Sequence, residues 1–460
     1  MFKVITKEMR TLQALLVLAA PMIVSQGAFA VMIFCDRYFL SQVSPTHMAA
    51  ALGGGVAVFF CQSLFIGVLA YGNAIVAHNF GAGDFHKCSK VMTQAALLSL
   101  ISLPILMLIG YFVADLFAAM GHAKEQLVLE KQYFFALLLM SPLQLLKVSI
   151  ASYFAGISRT KVVMAADTLG VLMNIPLSYG FVFGVWGLPE LGILGAALGT
   201  AISMAFSLAV YALFYFHPEH RRQFAVADSW GIDRGILRRY LRLGLPSGIE
   251  TFLNVAAFNL FLLMFQSYGV VEGASSAIVL NWDIMSFVPM MGLSIAIVSM
   301  VGRSVGAGNV DGINQVIRSG FMLSISYSVV LGLLYLIFRH ELVAIFVIEG
   351  PEAEQIKVMA GHMMLGLVSY TVADAIILVS GGVLRGIGDT RWMMVVSVSL
   401  HWLMLLAQVV VIRILEWGPQ ASWNLFVMMI VTTAVVYLWR LSQRRWQDKE
   451  VMSGMLAKHA

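Results

Sequence analysis

Five carboxylates and one amine fall inside stretches of this sequence that are otherwise apolar: Asp36, Asp167, Glu250, Asp283 and Asp374, with Lys147. At the centre of a membrane span an ionisable group costs about 2.5–3.5 kcal/mol on insertion scales, so such groups face protein or a water-filled cavity. The set is mostly anionic. Carboxylates lining a cleft attract cations and can exchange protons, a combination that suits the trade of a cationic solute for an ion.

The neighbours of these groups sharpen the chemistry. Asp36 is followed by Arg37, which reads either as an ion site or as an interfacial pair with a snorkelling arginine. Asp167, Asn174 and Ser178, at spacings of seven and four, share one helical face, and Pro176 follows two residues after Asn174. Oxygen-bearing side chains placed so, near Asp36, can hold a hard cation; the competing reading is interhelical hydrogen bonding plus a proline kink. Glu250 and Asn254 are one turn apart just after Gly244-Leu245-Pro246, where a kink opens backbone carbonyls to a cavity and makes an ion or proton site. Tyr370 and Thr371 precede Asp374 by four and three residues, placing two hydroxyls and a carboxylate on one face. Asp283, within Asn281-Trp282-Asp283, is a further ion-site candidate or a structurally buried acid, and Lys147 is a partner for any nearby carboxylate. The two candidate sodium sites are Asp36 with Asn174, and Glu250 with Asp374. No cofactor is expected: Cys35, Cys61 and Cys88 lack metal-ligand spacing, and no nucleophile cluster or nucleotide-binding loop is recognisable.

The elements that must carry these residues follow from composition. With 60% hydrophobic and 12% charged residues among 460, the chain excludes a water-soluble enzyme and leaves no length for a soluble ATPase domain. Apolar runs of spanning length lie near 12–38, 47–72, 92–119, 132–155, 162–184 and 191–216, then near 242–267, 273–300, 319–338, 358–383, 392–415 and 421–440. The expected fold is an all-α integral membrane protein of twelve helices in two pseudo-symmetric six-helix bundles around a central cleft: residues 1–216, a cytoplasmic linker 217–241, and 242–460 with a cytoplasmic tail. Of 29 lysines and arginines, 22 fall on one side of this arrangement, including Arg318, Arg385, Arg440 and Arg444, which puts that side and both termini in the cytoplasm. The net charge of +5 is spread between apolar runs, not gathered in a nucleic-acid patch. Two copies of one unit are visible: Gly81-Ala82-Gly83 recurs as Gly306-Ala307-Gly308, and Pro21 as Pro246, both 225 residues on. Gly156-Ile157-Ser158-Arg159-Thr160-Lys161 is echoed by Gly386-Ile387-Gly388-Asp389-Thr390-Arg391. An even number of spans separates the copies, so they share one orientation, related by an axis along the membrane normal.

These segments resemble the multidrug and toxic compound extrusion family, abbreviated MATE, nearest to its bacterial NorM-like and DinF-like members. The resemblance is carried by Pro21 with Asp36, Val76-Ala77-His78-Asn79-Phe80-Gly81-Ala82-Gly83, Asn174-Ile175-Pro176-Leu177 and Gly192-Ile193-Leu194-Gly195-Ala196-Ala197. In the second half Gly244-Leu245-Pro246, Val301-Gly302-Arg303-Ser304-Val305-Gly306 and Leu384-Arg385-Gly386-Ile387-Gly388-Asp389-Thr390 continue it. It implies a V-shaped antiporter in the plasma membrane, for a bacterium the inner membrane, exporting small organic cations in exchange for H+ or Na+. Asp36 matches the family's first-span acid, Asn174 its fifth-span polar position and Asp374 its tenth-span acid. Two departures stand out: the NorM-like branch carries an acid where Asn254 stands, and some members carry one where Ser178 stands, which favours protons here. Such a protein needs the bilayer but no ATPase subunit or nucleic acid, and is expected as a monomer. The alternative is a flippase for lipids or lipid-linked oligosaccharides of the same broad superfamily, which needs a cationic cavity to meet pyrophosphate.

Overall fold

The computed structural model describes residues 2–119, 124–347 and 350–444, with Gln447; the basic tail residues Arg445, Lys449 and Lys458 lie outside the described residues. Among the described residues there are helices and no strands. In chain order the α-helices are α1 Phe2–Val43, α2 Pro45–Ala70, α3 Gly72–Gly81, α4 Phe85–Ala119, α5 Lys124–Leu139, α6 Ser141–Gly156, α7 Thr160–Phe183 and α8 Ile193–Tyr215. They continue as α9 Pro218–Gln223, α10 Arg234–Gln266, α11 Val270–Gly306, α12 Val310–Ala344, α13 Ala353–Ile387, α14 Thr390–Val409 and α15 Pro419–Ser442. Without water to satisfy backbone N–H and C=O groups, uninterrupted helices are what such apolar runs must form.

Among the described residues eleven helical stretches are long and apolar enough to cross a membrane, and α5 with α6, bent by 46° at their junction, make a twelfth if counted as one span. The expected fourth span, 132–155, is therefore a bent pair. Pro142 in the first turn of α6 explains the break, since proline cannot donate to the preceding turn and favours a helix start. Prolines inside helices recur at Pro21, Pro104, Pro176, Pro246 and Pro289.

The chain divides into two compact units. The first is Ala20–Phe252; the second comprises the residues up to Ala19 and those from Leu253 on. Two helices are thus shared between units: α1, which changes unit just before Pro21, and α10, which does so six residues after Pro246. In the first unit Leu40, Ala50, Tyr133, Val182 and Ile193 form a buried cluster. In the second, Phe261, Phe265, Tyr370, Trp423 and Phe426 anchor a larger aromatic one, with Phe261 and Phe426 stacked at 4.7 Å. Large apolar side chains such as Leu108, Tyr111 and Phe112 of α4 are exposed, as the lipid-facing side of a membrane helix requires.

The segment after α8 is tied down along its length. Ser89 Oγ donates to the Phe224 carbonyl at 2.9 Å and Gln94 Nε2 to the Gly231 carbonyl at 2.8 Å. Lys90 Nζ lies 3.4 Å from Asp233. Arg238 and Arg239, inside the expected linker 217–241, are already on the first turns of α10, which begins at Arg234.

Candidate functional site

Three helices of the first unit, α1, α7 and α8, build two polar layers in an apolar wall. One layer contains Asp36 from α1, Asn174 and Ser178 from α7 and Thr200 from α8. Their exposures are 6%, 0%, 0% and 7%. Thr200 Oγ1 donates to Asp36 Oδ2 at 2.8 Å, and Asn174 Nδ2 donates to both Thr200 Oγ1 and Ser178 Oγ at 3.2 Å. Ser178 and Asn174 also stand beside the Asp36 carboxyl. Two buried oxygens in this layer, Asp36 Oδ1 and Asn174 Oδ1, have no hydrogen-bond partner. Buried acceptors are normally satisfied, so a pair left open beside two hydroxyls marks a place where a proton or a small hard cation completes the shell.

The helices come this close because their facing residues are small. A Cβ on Gly199 would come within 2.6 Å of Ser178 Oγ, and one on Gly195 within 2.3 Å of the Phe181 carbonyl oxygen. Glycines four apart on an apolar helix permit such backbone approach.

The other layer lies eleven residues away on each helix: Ser25 against Asp36, Asp167 against Ser178, Tyr211 against Thr200. That is three turns, roughly 16 Å along the helix axes. Here Asp167 Oδ1 accepts from Tyr211 at 3.0 Å and lies 3.3 Å from Lys147 Nζ, while Ser25 donates to Oδ2. Lys147 also sits over the Phe29 ring at 5.8 Å. The charge on Asp167 is neutralised and both its oxygens are bonded, so the spacing that joins Asp167 to Asn174 and Ser178 along α7 spans two layers of different kind.

In the second unit Asp283 of α11 and Asp374 of α13 are half-buried electrostatic neighbours, and the Tyr370 hydroxyl interacts with both. Asp283 Oδ1 and the Tyr370 hydroxyl, both buried, have no hydrogen-bond partner. Thr371 is not part of the group: its hydroxyl donates to the Leu367 carbonyl of its own helix at 2.6 Å. Asn254 Nδ2 donates to Ser397 Oγ at 2.7 Å, leaving Asn254 Oδ1 unsatisfied. Glu250 is buried in the first unit, whereas Asn254 and Asp374 belong to the second. Neither unit by itself brings Glu250 to Asp374.

Sequence reasoning missed Thr200, Ser25 and Tyr211. For Thr200 the signal was available: it directly follows Gly199, one of the two glycines through which α8 closely approaches α7. Among the described residues no group of three or more His, Cys, Asp or Glu side chains is placed to hold a metal ion. The mixed oxygen set around Asp36 fits a singly charged hard cation or a proton instead.

Comparison with known proteins agrees with this architecture. The MatE family profile matches twice, over residues 21–180 and 246–409, the matches beginning at Pro21 and Pro246. The multidrug resistance protein MdtK of Cronobacter sakazakii is 27% identical over 467 residues, covering 96% of this chain and 98% of that protein. MdtK of Yersinia enterocolitica is likewise 27% identical, with 97% and 98% covered. Among solved structures, the eukaryotic MATE transporter AtDTX14 superposes with a TM-score of 0.86 at 16% identity, covering 98% of this chain and all (100%) of that one. An outward-facing multidrug resistance MATE transporter of the MOP superfamily gives 0.85 at 19% identity, with 95% and 97% covered. Matched by one profile in both halves and sharing this fold, the chain belongs to the MatE family of multidrug and toxic compound extrusion transporters.

Proposed function

We propose that this chain is a secondary active multidrug efflux transporter that exports small organic cations by antiport against H+ or Na+. The observation that carries the reading is the pair of open, buried oxygens on Asp36 and Asn174, in a layer that contains hydroxyls and a carboxylate but no lysine. Loading that layer with a proton or Na+ neutralises Asp36, and unloading restores a negative charge; an equilibrium between two access states responds to such a change in charge. Asp283, Asp374 and Tyr370 form a second acidic group in the other unit, suited to a cationic substrate or a second ion. Glu250 and Asn254 are assigned a supporting role on α10. The names of the MdtK relatives support a multidrug substrate range. The basic asymmetry supports cytoplasmic termini in a multi-pass protein of the bacterial inner membrane, acting as a monomer without an ATPase subunit. A flippase for pyrophosphate-bearing lipids is less well supported, because the one lysine within the first unit's wall is already neutralised by Asp167.

The test is counterflow in proteoliposomes loaded with a fluorescent organic cation, with pH and sodium gradients imposed separately. Movement driven by one gradient names the coupling ion, and Asp36→Asn and Asp374→Asn each reduce it at least about 100-fold, the loss expected when an obligatory charge change is removed. Movement under neither gradient, or normal transport by both variants, overturns the reading.

A further inference from the structure

In the first unit the short stretch between α9 and α10 lies across one face of α4. Ser229 Oγ is 3.3 Å from Thr93 Oγ1, and the Gly231 carbonyl accepts from Gln94 Nε2 at 2.8 Å. The Asp233 N–H donates to Gln94 Oε1 at 3.3 Å, and its carboxylate lies 3.4 Å from Lys90 Nζ. Every second residue is thus held by α4. The two between them, Trp230 and Ile232, are 69% and 68% exposed. Gly231 has a φ of +129°, a backbone conformation that glycine adopts without strain and that lets its carbonyl reach Gln94.

Single exposed apolar side chains are ordinary on a protein surface. These two are set apart by where they are mounted. At about 100° per residue, Lys90, Thr93 and Gln94 fall on the same stripe of α4 as Ile101, Leu108 and Phe112, whose exposed side chains face lipid. The depth follows from the length of the helix. Its apolar stretch Phe85–Asp115 has 31 residues, about 46 Å at ~1.5 Å per residue, against a hydrocarbon core of about 30 Å. Shared between the two ends, the excess puts the edge of the hydrocarbon roughly five residues in, at Lys90. The docked stretch therefore lies over the lipid-facing stripe at the depth where headgroups give way to acyl chains, the level at which tryptophan is favoured.

We propose that residues 229–233 form an interfacial strap. Trp230 and Ile232 insert into the leaflet at this end of α4, between the headgroups and the first methylenes of the acyl chains, while Ser229, Gly231 and Asp233 hold the segment to the helix. The connector that the sequence offers as an aqueous linker is then a membrane-surface element. The inference rests on the membrane placement of α4 and is independent of the ion sites and of transport.

The test uses the full-length protein in phosphatidylcholine liposomes whose lipid is brominated either near the glycerol end or near the methyl end of its chains. The Trp230 signal is the difference in fluorescence between the wild type and Trp230→Phe, a substitution at an exposed position. It is expected to be blue-shifted from the emission of the unfolded chain, quenched more by the bromine near the glycerol end, and shielded from aqueous iodide. Ile232→Trp in the Trp230→Phe background should report the same pattern from the second position. Gln94→Met, which removes both hydrogen bonds to the strap, should weaken the lipid quenching of Trp230 and open it to iodide. Iodide quenching without lipid quenching at either position would overturn the proposal by placing the segment in water. A signal unchanged by Gln94→Met would overturn it too, since α4 would then not be what holds the strap at the interface. The wild-type and Ile232→Trp signals decide the matter even where Gln94→Met fails to fold.

Discussion

Asp36 and Asp167 are both buried, both belong to the first unit, and both are held by side chains from the same set of helices, yet they are treated in opposite ways. Asp167 receives an ammonium, a phenol and a serine hydroxyl, which together satisfy its charge and both oxygens. Asp36 receives the Thr200 hydroxyl and has Ser178 and Asn174 beside its carboxyl but no ammonium, and its Oδ1 and the Asn174 Oδ1 have no hydrogen-bond partner. The difference lies in what α6 supplies: it places Lys147 at the Asp167 layer. A buried carboxylate with a fixed counterion serves the fold, whereas one whose shell is incomplete is available to a mobile ion.

The largest expected effects come from exchanging these two conditions. Lys147→Met leaves the Asp167 carboxylate buried without its cation and should destabilise the protein by about 3–5 kcal/mol. The double variant Lys147→Met with Asp167→Leu should recover most of that, because an apolar pair of similar volume replaces a desolvated ion pair at little net cost. Asp36→Asn behaves differently. Its new amide finds an acceptor in the open Asn174 Oδ1, while Thr200 still donates to its oxygen, so the unfolding midpoint holds although ion coupling is lost. Thermal unfolding in detergent, run beside the transport assay, separates the cases. A midpoint drop for Asp36→Asn as large as that for Lys147→Met would show that both acids are structural.

A smaller effect tests how the open layer is positioned. Gly199→Ala forces α8 away from Ser178, an overpacking cost of about 1–3 kcal/mol. It should reduce transport by roughly tenfold through displacement of Thr200 from Asp36, the scale typical of a sub-ångström to 1 Å misplacement. Gly27→Ala, with nothing within 4 Å of its added methyl, is the control and should change neither quantity. Equal transport by the two variants would separate the close approach of α7 and α8 from function.

The sequence carried the helices, because apolar length is a local property. It carried Asp36, Asn174 and Ser178, since intramembrane polar groups at helical spacing stand out against an apolar background. It could not divide α7 into two layers: whether Asp167 meets a cation depends on Lys147, twenty residues away on another helix. Thr200 was hidden because threonine is cheap in a membrane helix and attracts notice only beside the glycines that bring it to α7. In the second unit, spacing grouped Thr371 with Asp374, but a threonine hydroxyl can return to the carbonyl four residues back, and this one does. Glu250 and Asn254 are one turn apart on α10, yet the helix passes from one unit to the other between them. A one-dimensional pattern has no term for that.

A third way of handling a buried ionisable group is to discard its charge, and it gives the smallest effect. His220 of α9 is buried against Tyr153 and Phe224. Arg159 lies 3.1 Å from its Nδ1 and the Tyr153 hydroxyl 2.9 Å from its Nε2. A guanidinium can only donate, so Nδ1 is the acceptor and the ring proton sits on Nε2, which donates to Tyr153. Burial first, then the positive charges of Arg159 and His217, lowers the imidazole from its usual 6.5 to about 4. The folded protein therefore keeps this histidine neutral while the unfolded chain protonates it below pH 6.5, so the stabilisation is complete above that pH and fades as pH falls towards 4. Allowing for solvent screening, the loss should be about 1–2 kcal/mol. Comparing the unfolding midpoint of the wild type with that of His220→Gln between pH 7.5 and 4.5 checks it. The two curves should converge on acidification, and a constant gap would mean that His220 titrates alike in the folded and unfolded states, so that burial against Arg159 is not what keeps it neutral.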